Sequence, residues 1–333
     1  MLTVKWREIW KVNKKYLESI WSSITYSGEN EFEFLRIDAV AIPELHLGLK
    51  SNNNRCLLLE LPKNNALDFR TTIKKNLTLS MHKNSAYLVL ELTNNLFREL
   101  FNDLVISIYT QIYQLSDVDE YSRLFIRIFY KWSEFFENNK HNRLSAEEII
   151  GLFGELYYLS QLIISASVQN INNVLLSWRG PYGNTHDFVL DKKHVEIKTR
   201  MISTAEIKIS SEYQLEPSAG KRLELVIVLI DESFPNGDSI STVLQNIKYS
   251  IQLNKGDFSI VLDALSKNGV TTTNATDYDN YRFEVIRATT YNCDDINFPK
   301  LTRSGIPEAV VNAKYSLMVD KLAQYIISEE IYE

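Results

Sequence analysis

HDFVLDKKHVEIKTRMISTAEIKIS, residues 186–210, carries the tripeptide Glu-Ile-Lys twice, at 196–198 and at 206–208. With Glu and Lys each at roughly 6% of residues, a bare Glu-x-Lys arises by chance about once in a few hundred residues, so spacing alone assigns no chemistry. On a strand, either copy would turn its charged residues to water and Val195, Ile197, Ile207 and Ile209 to a core. Asp187 separates the two. HDFVL and HVEIKT read as the arms of a hairpin with Asp191-Lys192-Lys193 near its turn. With Lys192-Lys193 as the loop, Asp187 faces Lys198 and Val189 faces Glu196. Asp187 and Glu196 then lie diagonally on one face, roughly 7 to 8 Å apart between backbones, within reach of one ion. A three-residue loop would shift the register and separate them. The second copy has no such partner, because its nearest upstream carboxylate outside the first copy is Asp191, in the turn itself. Glu196-Ile197-Lys198 is therefore the copy read as chemistry, and Glu206-Ile207-Lys208 is read as a solvated strand face.

The residue types suit a metal-assisted attack on phosphate. Mg²⁺ is a hard ion held by one or two carboxylates together with substrate oxygens and water. Asp187 and Glu196 are the expected metal ligands, and the Ile197 backbone carbonyl between Glu196 and Lys198 is a third candidate. Mn²⁺ is the expected substitute ion. Lys198 would orient the attacking water and stabilise developing negative charge.

Upstream, LSAEEIIGLFGELYYLSQLII starts a helix at Ser145, with Glu148 in the capping-box position. Ile149, Leu152, Phe153, Leu156 and Ile163 form its buried stripe, and Glu155 projects about 80° from the stripe's centre, at the border of core and solvent. Gly151 and Gly154 each cost roughly 1 kcal/mol in a helix interior and are tolerated where something approaches closely. A further carboxylate feeding the metal site would have the placement of Glu155.

Taken together, GLFGELYYL, SWRGPYGNTHDF, HVEIKT and ISSEYQL resemble the bacterial family of PD-(D/E)XK motif proteins, within the superfamily of restriction-endonuclease-like nucleases. The similarity is ordered over about residues 145 to 232. It implies an α/β fold with a mixed-sheet core: a helix, a three-stranded meander, a second helix and a further strand. It also implies Mg²⁺-dependent cleavage of DNA phosphodiesters. Carried over by motif, Asp187 and Glu196 are the acidic ligands, Lys198 is the catalytic lysine and Glu155 is the additional helix carboxylate. The proline of the family's name is absent, since His186 precedes Asp187. The resemblance further implies a component of a restriction or anti-phage system with partners; because one metal site breaks one strand and the chain is acidic, a homodimer or a complex with co-encoded ATPase, methyltransferase or helicase-like proteins is expected.

Outside this segment the chain of 333 residues, 45% hydrophobic, is long enough for more than one domain. Residues 1–95 read as a strand-rich domain, with FLRIDAVAI, CLLLELP and AYLVLELT as strands. Residues 96–143 read as a helical connector made of LFRELFNDLVISIYTQIYQL and VDEYSRLFIRIFYKWSEFFENN, with NNKHNR (138–143) as hinge. Residues 144–333 read as the nuclease-like domain, in which LELVIVLID, apolar on both parities, is a central strand. MLTVKWREIWKVNKKYLESIW has its tryptophans at helical spacing among charges and is neither signal peptide nor membrane anchor. Cys56 and Cys293 give no disulfide framework or zinc cluster, in keeping with a cytoplasmic protein. The net charge of -6 means that any nucleic-acid contact rests on a local basic patch.

Candidate DNA contacts are Lys192, Lys193 and Arg200 around the hairpin, each also readable as a solvated residue, and Ser211 and Gln214 after the second strand, readable as caps. His186 and Trp178 read as structural. No GK[ST] phosphate loop is present, so ATP hydrolysis is not expected of this chain. The competing reading is a nuclease-fold module that binds DNA or a partner protein without cutting.

Overall fold

The computed structural model describes residues 12–62, 69–136, 144–233, 235–272 and 274–332. The chain divides into two compact units, residues 1–140 and 141–333. The expected hinge at 138–143 and the start of the expected N-terminal helix lie outside the described residues.

In the first unit, helix α1 (Lys14–Ser23) is followed by a six-stranded sheet. Its strands are β1 (Glu33–Arg36), β2 (Leu45–Lys50), β3 (Asn54–Glu60), β4 (Thr72–Ile73), β5 (Leu77–His82) and β6 (Tyr87–Leu92). Their order is β1-β2-β3-β6-β5-β4, with every neighbouring pair antiparallel. One face buries Leu45, Leu47, Leu57, Leu59, Leu88 and Leu90, all at most 2% exposed. FLRIDAVAI is a strand only at its beginning, since the chain leaves the sheet after Arg36 and returns just before Leu45, where β2 takes the place beside β3.

Helices α2 (Arg98–Ile112) and α3 (Val118–Ser133) belong to this unit rather than to a separate connector. Polar bonds tie α2 into it. Trp21 Nε1 and Arg55 donate to Asn102 Oδ1, and Tyr109 OH donates to Asp38. This accounts for their apolar content, because Leu100 to Ile106 of α2 is buried on nearly every side.

The second unit opens with α4 (Ala146–Ile164), whose capping box is the one expected: the Ser145 side chain accepts from the Glu148 N–H, and Glu148 accepts from the Ser145 backbone. Then come α5 (Ile171–Ser177), β7 (Phe188–Val189), β8 (Lys193–Met201), β9 (Glu206–Ile209), β10 (Arg222–Glu232), α6 (Ile240–Leu253) and α7 (Ser259–Lys267). Strands β11 (Phe283–Asn292), β12 (Tyr315–Met318) and β13 (Ile326–Ile331) complete it. The main sheet has the order β13-β11-β10-β8-β7, in which β8 and β10 are parallel and the other neighbours antiparallel. This is the expected α/β mixed-sheet core, and β10 is its central strand, buried continuously from Leu223 to Ile230.

Two departures bear on the site. The segment between β9 and β10 holds a turn at Glu212–Leu215 where the resemblance implied a second helix. Strand β9 leaves the main sheet and pairs with β12, and the Ile207 and Ile209 side chains join Leu223, Leu225, Ile227 and Leu317 in a core covering one face. The β9 burial pattern alternates, with Glu206 and Lys208 exposed. Among the described residues, no helix is long and apolar enough to cross a membrane.

Candidate functional site

The β7–β8 hairpin closes two residues away from the expected register. Phe188 pairs with Val195 and Val189 with His194, while the Leu190 N–H donates to the Lys193 carbonyl at 2.9 Å. The loop is therefore Asp191-Lys192, not Lys192-Lys193. Because strand side chains alternate with period two, a two-residue shift preserves the face. One step beyond the last pair, Asp187 stands directly opposite Glu196 instead of diagonally.

Asp187 is held from two sides. Its carbonyl accepts from the Arg179 and Gly180 N–H groups at 2.6 and 3.0 Å, and its Oδ2 accepts from the Ile197 N–H at 2.8 Å. In a strand the N–H and C=O of one residue point to the same side, so the Ile197 carbonyl is directed toward the Asp187 side of β8.

Glu196 is 1% exposed. Its Oε1 lies 2.8 Å from the Lys198 ammonium, and its Oε2 has no hydrogen-bond partner. Lys198 also reaches Gln214 Oε1 at 3.2 Å, and the same oxygen accepts from the Ser210 N–H at 2.8 Å. Gln214 thus fixes Lys198 from the turn after β9.

Glu155 arrives from α4. Close packing of that helix on β8 depends on Gly154, where a Cβ would lie 1.8 Å from Thr199 Oγ1. Gly151, expected to serve the same purpose, faces open space. The Glu155 Oε2 accepts from Trp178 Nε1 at 2.7 Å. A Cβ at Gly180 would lie 2.8 Å from Asp187 Oδ1 and 2.9 Å from Glu155 Oε2, so the two carboxylates flank one small space that only glycine leaves open.

The electrostatics follow from this crowding. Burial, then the neighbouring Asp187, pushes Glu155 up to about 8, against the Trp178 hydrogen bond and Lys198. Burial first and Asp187 second raise Glu196 well above the usual carboxylate range, against Lys198. Burial raises Asp187 too, opposed by the Ile197 N–H and Lys198. Three carboxyls raised by burial beside a single lysine, one with an orphaned oxygen, form a donor set that could hold a cation. The donor set is all oxygen and fits a hard divalent ion.

The family described as "Putative PD-(D/E)XK family member, (DUF4420)" matches residues 17–320. The chain belongs to this family. Its nuclease-like fold is the one in which the structure places Asp187, Glu196, Lys198 and Glu155 together. No curated protein and no solved structure gives a match.

The remaining candidates of this DUF4420 chain are placed as follows. Lys192 is exposed on the hairpin loop. Lys193, a candidate DNA contact, is instead engaged with Glu224 at 2.6 Å, on the opposite face of β8 from Glu196. Ser211 accepts from the Tyr213 N–H and shapes its own turn. Burial lowers the His186 pKa to about 4, and its ring stacks at a tilt on His194, 4.9 Å between centroids.

Arg200 follows Lys198 on the same face, and its buried Nε has no hydrogen bond. Across β10 it shares Leu229 as ladder partner with Arg287 of β11. Sequence reasoning missed Arg287, whose strand lies nearly ninety residues away. It also missed the Trp178 indole as the holder of Glu155, although a buried Trp N–H must find an acceptor.

Proposed function

We propose that this chain is a Mg²⁺-dependent endonuclease that hydrolyses DNA phosphodiester bonds, working within a restriction or anti-phage defence system. The observation that carries the reading is Glu196: a buried carboxyl with a free oxygen, opposite Asp187, beside Glu155 and in contact with Lys198. Asp187 and Glu196, with the Ile197 carbonyl, would hold the cation, and Glu155 would act from the helix side. A bound divalent ion supplies Lewis acidity, neutralising phosphate charge and acidifying a water.

The chain's own residues do the rest. Lys198, restrained by Glu196 and Gln214, presents a fixed ammonium where negative charge develops as water bonds to phosphorus and one P–O ester bond breaks. Gly180 keeps the carboxylates close, and Trp178 fixes Glu155. Arg200 lies two residues along the same face from Lys198, roughly 7 Å, a step suited to a flanking phosphate, and Arg287, which also lies 3.5 Å from Glu329, stands beside it across β10.

The net charge of -6 is unfavourable for unaided capture of a polyanion. Delivery by a co-encoded ATPase, methyltransferase or helicase-like partner, or pairing of two copies to cut both strands, fits that charge. The same acidity supports the competing reading, a module that binds without cutting.

A plasmid-nicking assay with Mg²⁺, Mn²⁺ or EDTA separates the two readings. Metal-dependent nicking abolished by Glu196→Gln is expected. DNA or partner binding with no nicking in either metal, at any protein concentration, would favour the binding module.

A further inference from the structure

The first unit holds a second group of donors, unrelated to the carboxylate cluster. Glu44 and His46 are two residues apart, so their side chains leave the sheet on one face, opposite Leu45 and Leu47. Leu45 faces Leu59 across the β2–β3 ladder, and the Glu60 N–H donates to the Glu44 carbonyl at 3.0 Å, which puts Glu60 directly across from Glu44. The three residues offer ligand atoms that all lie within 4.8 Å of one another.

The histidine sets this group apart from a solvated acidic pair. His46 is 6% exposed, and its Nδ1 has no hydrogen-bond partner. Its ring is wedged edge-on against Phe34 and Tyr87, with centroids 5.1 and 5.9 Å away, which fixes the imidazole plane. Among the described residues, neither carboxylate hydrogen-bonds to the imidazole, despite the short distances. Each carboxylate is instead held through its Oε2 by a neighbour on the adjoining strand. Arg36 Nη1 lies 3.0 Å from Glu44 Oε2, and Tyr87 OH donates to Glu60 Oε2 at 3.3 Å. Such outer partners orient carboxylates and leave the other oxygen free for a ligand, as around metal sites.

We propose that Glu44, His46 and Glu60 bind a divalent transition-metal ion of the Zn²⁺ class. The two carboxylates balance the ion's charge, and the imidazole nitrogen favours Zn²⁺, Co²⁺ or Mn²⁺ over Mg²⁺, which prefers oxygen alone. Three protein ligands leave a position for water, and the exposed Glu60 gives the ion a path from solvent. This site does not depend on the nuclease reading and would be filled whether or not the second unit cuts DNA.

The test uses the full chain, stripped with EDTA and dialysed against micromolar Zn²⁺ in excess Mg²⁺, with bound zinc counted by mass spectrometry. Co²⁺ then reports the ligand field by visible absorption. One Zn²⁺ per chain is expected to resist the Mg²⁺. It should be lost in His46→Ala and bound at least about 10-fold more weakly in Glu60→Gln, an exposed position where the fold is kept and circular dichroism can verify it. Asp187→Asn should retain it. Equal zinc in Glu60→Gln and the unaltered chain, absence of bound zinc from the unaltered chain, or loss in Asp187→Asn with retention in His46→Ala would overturn the proposal.

Discussion

Replacing Glu155 with glutamine removes a carboxyl that burial and Asp187 push up to about 8, while its unfolded value is 4.5. Between these values the folded, metal-free chain keeps a proton that the unfolded chain has lost. The stability this proton confers is complete below the unfolded value and lost as pH rises toward the folded one. Each retained proton is worth about 1.4 kcal/mol per pH unit. From pH 6 to pH 8, with the group half titrated at the upper end, Glu155 alone therefore lowers stability by about 2 kcal/mol, or about 4–8 °C in melting temperature for a unit of this size. Glu196, raised well above the usual carboxylate range, and Asp187 both shift in the same direction. Scanning calorimetry in EDTA across this range should show the drop in the unaltered chain. Glu155→Gln, which can still accept from Trp178, should flatten the slope by about one proton's worth. Mn²⁺ displaces the protons, so it should raise the melting temperature more at pH 8 than at pH 6. A metal-free melting temperature that is flat with pH and parallel in the two proteins would refute the reasoning.

Three further outcomes follow from the same geometry. Lys198→Ala should leave folding and metal binding intact while reducing cleavage by about 10²-fold or more, whereas Lys208→Ala, whose exposed amine meets Glu147, should not change it; rates on a supercoiled plasmid decide this. Gly180→Ala should push Asp187 and Glu155 apart and weaken Mn²⁺ binding by about 10-fold or more, read by calorimetric titration. Arg287→Ala and Arg200→Ala should each reduce the salt dependence of DNA binding by about one phosphate contact, without altering metal affinity.

The hairpin shows how much of the site was legible. Its loop was misplaced, yet Asp187 and Glu196 remained on one face because the pleat repeats every two residues and the shift was two. The capping box fixed α4, and unbroken apolar parity fixed β10, since both signals are local. Glu155 was legible as a border residue, but not the Trp178 bond that holds it. That bond joins residues whose proximity is set by how α4 packs on β8. Lys193 looked like a basic contact until the parallel pairing of β8 with β10 brought Glu224 beside it. Parallel neighbours come from distant sequence, and so did Arg287 through β11. The turn that took the place of a helix after β9 has no periodic signal, and its function lies in one side chain, Gln214.

The central claim, that Asp187 and Glu196 hold a catalytic divalent cation, is tested most directly by anomalous diffraction from a crystal of the full chain soaked in Mn²⁺. An anomalous peak bounded by the carboxylates of Asp187 and Glu196, lost in Asp187→Asn, is the expected result. Saturating Mn²⁺ with no peak there, while Asp187 and Glu196 keep their places, would contradict it.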